Sequence, residues 1–487
     1  MKSEKLIFEK SQNNRKGVLP PEEQSFLTSP EKIFSQGLLR KHKLPLPCLS
    51  ELDVIRHYTR LSQLNFSVDT HFYPLGSCTM KYNPKISEEL SMLEEFKNIH
   101  PYQQEEDIQG ILELMFNLEK ILCEITGMHR FCLQPSAGAH GELTGMLIIG
   151  KYHRLKKHKK TKVLVPDSSH GTNPASASMC GYKVIEIKSN SEGLVDIDEL
   201  NREMDDEVAC LMLTNPNTLG LFEEKILDIK DIVHKKGGLL YYDGANLNAL
   251  LGICKIRDMG FDVIHMNLHK TFSTPHGGGG PGAGPVGVTE ELVEFLPVPL
   301  VEKNHNHFIL NYKLKNSIGR VRSFYANIPV LVKAYSYILR LGKEGLKRVA
   351  LYSVLNANYI REKLKSYYNV ASPKPCMHEV VFSAIKQKQQ GVSALDIAKK
   401  LIDEGIHPPT IYFPLIVQEA LMIEPTETEN KETLDYFIEI MIKIAKEAET
   451  SPENFKNYPK NTPVSRLDET QAARNPILKW QSPPLGD

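Results

Sequence analysis

Six short runs rich in aliphatic and β-branched residues punctuate the chain between positions 162 and 288: Lys162–Val165, Val184–Ile187, Val208–Leu213, Leu239–Tyr242, Val263–Met266 and Pro285–Val288. Helical patterns lie between several of them. The pattern from Glu223 to Lys236 stops at Gly237-Gly238, where a glycine can take the left-handed conformation that closes a helix. Strands that alternate with helices predict a mostly parallel, doubly wound α/β sheet, because a parallel neighbour is reached only by a long crossover. In such a sheet, ligands bind beyond the carboxyl ends of the strands.

The remaining chain divides around this core. Residues 1–65 are polar and punctuated by Pro20-Pro21, Pro45 and Pro47, and read as an extended arm with short helices. Apolar spacing at Ile111, Leu112, Leu114, Met115, Leu118, Ile121 and Leu122 predicts a helix with a broad buried face. A large domain is expected over 66–327 and a smaller α+β C-terminal domain over 328–450. In the latter, helices are predicted at Ile328 to Leu341 and at 343–366, a strand at Glu379 to Ala384, and helices at Ala394 to Glu404 and Lys431 to Glu447. The proline-rich tail, 451–487, is expected to be extended.

Bulk properties exclude several classes of function. Lys+Arg and Asp+Glu balance at 59 each, which gives no argument for nucleic acid or an anionic membrane. No apolar run approaches the roughly 20 residues that span a bilayer, and the start Met1-Lys2-Ser3-Glu4-Lys5 lacks the apolar stretch of a secretory signal, so a cytoplasmic protein is expected. The eight cysteines contain no C-x-x-C pair and are expected to be reduced. His265 and His269 lie in a strand-like run without the H-E-x-x-H helix of a zinc protease, so no metal is expected. The basic run Lys151–Lys162 reads as a solvated helix end, with an acidic docking partner as the alternative.

The unusual residues collect where the sheet would bind a ligand. Val163–Val165 is followed by Pro166-Asp167-Ser168-Ser169-His170, and Cys210–Leu213 by Thr214-Asn215-Pro216-Asn217. Leu239–Tyr242 is followed by Asp243-Gly244-Ala245-Asn246, and Val263–Leu268 by His269 and Lys270, then by the glycines 277–280. A lysine at a strand end, partly dry and beside another cationizable group, can act as a nucleophile and form a Schiff base. Paired with an aspartate on the neighbouring strand end, it offers what pyridoxal phosphate needs: an amine for the aldehyde and an acid under the pyridine nitrogen. His170 could cap or staple its own loop, or offer a flat imidazole to stack on the cofactor ring. Ser136-Ala137-Gly138-Ala139-His140 precedes a helical pattern from Leu143 to Lys151, where free N–H groups can close on a phosphate, although Ser136 could equally be an ordinary cap. No G-x-x-x-x-G-K-[ST] loop and no G-x-S-x-G elbow occurs, which removes P-loop and serine hydrolase readings. Another pyridoxal phosphate enzyme of the same fold, such as an amino acid decarboxylase or cysteine desulfurase, and a non-catalytic scaffold both stay open at this level.

Longer strings narrow the choice. Met266 to Val288, Pro74 to Pro84, Gln134 to Glu142, Asp167 to Ala177, and Tyr412-Phe413-Pro414 through Glu424-Pro425-Thr426-Glu427 closely resemble glycine dehydrogenase (decarboxylating), the P-protein of the glycine cleavage system. The length resembles subunit 2, the β chain, of the two-chain form. The resemblance implies a fold-type I (aminotransferase-like) enzyme with a mostly parallel seven-stranded sheet. It implies that glycine is decarboxylated through a pyridoxal phosphate aldimine and that the aminomethyl group passes to the lipoyl arm of H-protein. It also implies a partner, subunit 1 (the α chain), in an α2β2 assembly. At the site it implies Lys270 as the internal aldimine lysine, Asp243 at the ring nitrogen, His170 over the ring, and Ser136, Ala137 and Gly138 at the phosphate. Thr214, Asn215, Ala245, Asn246, His140 and His269 complete the expected cofactor set, His269 also as a catalytic neighbour of Lys270. For the glycine carboxylate, Arg320, Arg322 and His140 are equal candidates.

Overall fold

The computed structural model describes residues 3–18, 28–41, 44, 46–276 and 282–480. The expectation for the glycines 277–280 lies outside the described residues, as do Pro20, Pro21, Pro45, Pro483 and Pro484. The chain forms two units, Met1–Ser67 with Tyr458–Asp487, and Val68–Asn457.

In the first unit, helix Glu51–Gln63 starts with a capping box: the Ser50 side chain accepts from Asp53 N–H, and Asp53 reaches back to Ser50 N–H. Short helical turns occur at Ile7–Lys10, Pro30–Ile33 and Gln36–Leu38. The tail departs from the extended reading, since Glu469–Arg474 is helical, with Asp468 as its cap. Phe8 stacks on Trp480 at 4.7 Å between ring centroids.

The second unit is built on a seven-stranded sheet in the order β1-β7-β6-β5-β4-β2-β3. The strands are β1 Arg130–Cys132, β2 Lys162–Pro166, β3 Lys183–Ile187, β4 Val208–Thr214, β5 Leu239–Gly244, β6 Val263–Met266 and β7 Val286–Val288. Neighbours from β3 through β6 are parallel; β7 runs antiparallel to both β1 and β6. All seven residues of β4 are buried, which is why its sequence reads as an unbroken apolar run with no alternation. Strand β1 was not anticipated, because three residues carry no usable periodicity.

Helices flank the sheet. Gln109–Thr126 buries Ile111, Leu112, Leu114, Met115, Leu118 and Leu122, and ends at Gly127 with φ 77°. The predicted pair beyond 328 forms one element, Ile328–Leu364, broken at Gly342 (φ 58°) into two limbs. A four-stranded antiparallel sheet follows, ordered Asn369–Val370, Val380–Ser383, Ala420–Ile423, Thr410–Ile411. Of these only Val380–Ser383 was legible beforehand. Among the described residues, no helix is long and apolar enough to cross a membrane. All eight cysteines are free.

Candidate active site

Register builds the floor of the site. Thr214 pairs with Asp243, and Asp243 with His265, on three successive parallel strands, so their side chains share one face of the sheet. Asp243 is 2% exposed and is held by four groups. Oδ2 accepts from Asn173 Nδ2 (3.0 Å) and Thr214 Oγ1 (3.1 Å), and Oδ1 accepts from the Ala245 N–H (3.0 Å) and lies 3.3 Å from His265 Nε2. Burial pushes this carboxyl upward, but His265, the Ala245 N–H, Lys270 and Asn173 together hold it below the usual carboxylate range. His265 is itself fully buried, its Nδ1 2.7 Å from the Tyr241 hydroxyl.

Lys270 follows β6 in a tight turn closed by its own N–H to the Asn267 carbonyl (3.0 Å). Buried Leu268 anchors that turn, leaving Lys270 partly exposed. Its Nζ donates to the Ser77 carbonyl at 2.7 Å, across 193 positions of sequence. His269 accepts from the Ala283 N–H (3.4 Å), and burial with His276 and Lys270 nearby drives it to about 3, so it is neutral at ordinary pH.

Opposite Lys270, helix Gly138–Leu155 begins at Ala137 without any side-chain cap. A Cβ on Gly138 would stand 2.4 Å from Asn267 Oδ1, and one on Gly284 2.0 Å from the Ala137 carbonyl, so this helix start is packed too closely for other residues. These parts border one cavity of about 240 Å³. Its wall includes Ala137, Gly138, His170, Thr214, Asp243, Ala245, Asn246, His269 and Lys270 from the sequence-derived set. His170 is exposed there, bonded through Nδ1 to Thr172 Oγ1 (2.9 Å), and its ring meets Phe413 edge-on at 5.7 Å. A larger hollow of about 760 Å³ lies at the amino ends of the strands, where it is open to solvent and Asp262 is already paired with His234 at 2.7 Å. It holds histidines and acids but, unlike the smaller cavity, no lysine beside a strand-end aspartate.

Relatives decide the family. A protein from Caldanaerobacter subterraneus subsp. tengcongensis, called probable glycine dehydrogenase (decarboxylating) subunit 2, is 62% identical over 480 residues, covering 98% of each chain. The chain belongs to the glycine dehydrogenase (decarboxylating) subunit 2 family. Residues 349–464 also match the family described as glycine dehydrogenase, C-terminal domain. Among solved structures, an inhibitor-bound glycine decarboxylase (P-protein) of the glycine cleavage system superposes with a TM-score of 0.72 at 23% identity, covering 86% of this chain and 94% of that one. A C-DES mutant with glycine covalently linked to its pyridoxal phosphate cofactor superposes with a TM-score of 0.60 at 13% identity, covering 77% of this chain and 97% of that one. At these identities the two superpositions establish the fold alone, the aminotransferase-like α/β fold of type I.

In this family member, three of the expected residues stand outside the cavity wall. Asn215 is fully buried and braces the backbone, its Oδ1 accepting from Glu223 N–H at 2.9 Å. Ser136 and His140 satisfy each other, with Ser136 Oγ 3.2 Å from His140 Nδ1. Both arginine candidates are engaged elsewhere. Arg320 lies over the rings of Tyr102 (5.0 Å) and Tyr312 (5.4 Å), and Arg322 donates to Asn327 Oδ1 at 3.2 Å.

Sequence reasoning missed Glu142, Asn173, His265 and Ser77 as members of the site. Glu142 lines the cavity from the first turns of its helix, accepts from Thr172 Oγ1 (3.0 Å), and is raised to about 8 by burial and by Asp243. The available signal was its place four residues after Gly138, which puts it on the same helix face. His378, Glu379 and Glu424 bring one donor atom each within 4.8 Å of one another, the spacing of a candidate metal site. Glu379 Oε2 accepts from Ser77 N–H and Glu424 from Thr79 N–H and hydroxyl, while Glu379 Oε1 and both ring nitrogens of His378 are buried without a hydrogen-bond partner.

Proposed function

We propose that this chain decarboxylates glycine with pyridoxal phosphate held in the 240 Å³ cavity and passes the aminomethyl group to the lipoyl arm of H-protein. The fit of the cofactor rests on three features. A helix start with no side-chain cap leaves N–H groups at Gly138 and Ala139 to take a phosphate. Buried Asn246 and Asn267 at the cavity wall each keep an unpartnered amide oxygen. An anionic Asp243 lies at the cavity floor, with Lys270 on the same wall.

Bound there, pyridoxal phosphate supplies an electron sink for the pair left behind when the glycine carboxylate departs as carbon dioxide. Lys270 would be the amine that holds the cofactor through its aldehyde. Asp243, held ionised by His265, the Ala245 N–H, Lys270 and Asn173, would stabilise a proton on the ring nitrogen. His170 faces the cavity as the stacking ring, and neutral His269 orients the turn that carries Lys270. Transfer to H-protein would form a carbon–sulfur bond at one lipoyl sulfur as the S–S bond breaks, the other sulfur leaving as a thiolate that takes up a proton, so that the disulfide accepts the electron pair left by carbon dioxide. The proposal includes subunit 1 as partner in an α2β2 assembly, a cytoplasmic location, and a cofactor domain over 66–327 beside a smaller domain over 328–450.

The observation that carries this reading is the convergence of Lys270 and Asp243 on one cavity beside an uncapped helix start. The test is pyridoxal phosphate followed by borohydride and peptide mapping, with and without the partner subunit. A label on Lys270 supports it; a label on another lysine alone, or none, removes it. Exchange of labelled carbon dioxide into glycine that needs lipoylated H-protein separates this activity from decarboxylases and desulfurases of the same fold.

A further inference from the structure

Two carboxylates lie fully buried within electrostatic reach of Lys270. Val380 pairs with Ile423 in the antiparallel C-terminal sheet, so the preceding Glu379 and the following Glu424 fall side by side at adjacent strand ends. Both are 0% exposed. Among the described residues no lysine or arginine lies within ion-pair distance of either; the nearest base is His378, at 4.0 Å and 3.9 Å. Burial pushes both carboxyls up, Glu379 well above its ordinary range. Buried groups of this kind are costly, and they cluster where a site needs them.

Their hydrogen bonds converge on one turn. Glu379 Oε2 accepts from the Ser77 N–H at 2.9 Å. Glu424 accepts twice from Thr79, from the N–H at 2.9 Å and the hydroxyl at 2.6 Å. Ser77 and Thr79 both have positive φ, 62° and 50°, a conformation that non-glycine residues hold only when their surroundings impose it. Gly76 presses this turn onto the sheet, since a Cβ there would lie 2.1 Å from Met422 Cγ. The same Ser77 whose N–H is held by Glu379 turns its carbonyl to Lys270 Nζ. One residue therefore links the buried acid to the amine.

We propose that Glu379 and Glu424 are positioning residues for the Lys270 amine, acting through the Ser77–Thr79 turn. The inference rests on Lys270 being the reacting amine, and it adds a reason for the position of that amine. The two acids hold the turn in its left-handed form, and the turn offers the Ser77 carbonyl as the seat of Lys270 whenever that lysine is free. A neutral acceptor of the same shape serves the turn as well as the acid does, whereas a truncated side chain releases it.

The test measures how fast pyridoxal phosphate and borohydride label Lys270 in the full chain, with the labelling of surface lysines and the thermal midpoint recorded alongside. E379A and T79V should slow labelling at Lys270 by about 10- to 100-fold, the scale of a misplaced reacting group, and leave other lysines unchanged. E379Q and T79S, which keep the acceptor and the hydroxyl, should stay within about twofold of wild type. Wild-type labelling in both E379A and T79V overturns the proposal. So does equal slowing in T79S and E379Q, or slowing shared by surface lysines, because either marks general loosening. If E379A does not fold, T79V alone decides. No label on Lys270 in the wild-type chain overturns both this inference and the function it rests on, whereas a labelled wild type with indifferent variants overturns this inference alone.

Discussion

The ammonium of Lys81 lies 2.7 Å from Glu427 Oε1, with the two side chains 1% and 8% exposed. The same ammonium donates to Asn248 Oδ1 (2.7 Å) and to the Thr271 carbonyl (3.1 Å), one residue beyond Lys270. Segment 74–84 is thereby joined to the turn that carries the proposed nucleophile, and Asn83 Nδ2 to Ser273 O (3.0 Å) adds a second link.

Lys81→Met should therefore destabilise the chain strongly. It leaves the Glu427 carboxylate buried without its cation, a change that typically costs about 3–5 kcal/mol. Urea denaturation measures it. A loss below about 1 kcal/mol would mean that Glu427 is adequately served by Tyr337 OH (3.2 Å) and Asn248 Nδ2 (3.3 Å) alone.

Glu142 makes stability depend on pH. Its folded value of about 8, against an ordinary 4.5, means the folded chain holds this proton more tightly than the unfolded chain. The associated stability is present below about pH 4.5 and is lost as pH rises through about 8. Glu142→Gln is neutral at every pH and should remove that loss, on the order of 1–3 kcal/mol given the coupling to Asp243. Urea midpoints at pH 6 and pH 9 check it. An equal fall in wild type and variant would show that Glu142 is not the group responsible.

Gly138→Ala tests the proposed phosphate seat. The new Cβ would meet Asn267 Oδ1 at 2.4 Å, so the helix start or Asn267 must shift. Overpacking of this kind costs about 1–3 kcal/mol, equivalent to about 10- to 100-fold weaker binding of pyridoxal phosphate if the strain falls on the site. Absorbance titration reads the affinity. Adding Asn267→Ala should restore part of the loss; no restoration would place the damage elsewhere.

The parts of this molecule written in local pattern were legible in advance. Strands β2, β4, β5 and β6 announced themselves as largely buried apolar runs, and β3 by its β-branched residues, although only Ile187 of its five residues is buried. Lys270 and Asp243 stood out because they end such runs, and Gly342 separated the two limbs of Ile328–Leu364. What the sequence concealed depends on contacts between distant positions. Ser77 reaches Lys270 across 193 residues, and Thr79 reaches Glu424 across 345. Asn173 holds Asp243 across 70, and no periodicity encodes such a pairing. Asn215 was misplaced for a related reason: it follows Thr214 at a strand end, but adjacent residues of a strand point to opposite faces. Thr214 faces the cavity, and Asn215 faces the Glu223 backbone.

Asp243→Asn separates the charge of this residue from its shape. The amide keeps the size of the carboxylate, but its NH2 would face donors at Asn173 Nδ2 and Thr214 Oγ1 that now converge on Oδ2. It also removes the anion that the surrounding groups hold ionised against burial. Lys270, on a different element, should still be labelled by pyridoxal phosphate and borohydride. Glycine decarboxylation should fall on the order of 100- to 1000-fold, the usual effect of removing one preorganised electrostatic group. Carbon dioxide exchange and peptide mapping on one preparation give both readings. Retained label with lost exchange places Asp243 at the ring nitrogen's proton, loss of both makes it a structural member of the floor, and near-normal exchange removes it from the chemistry.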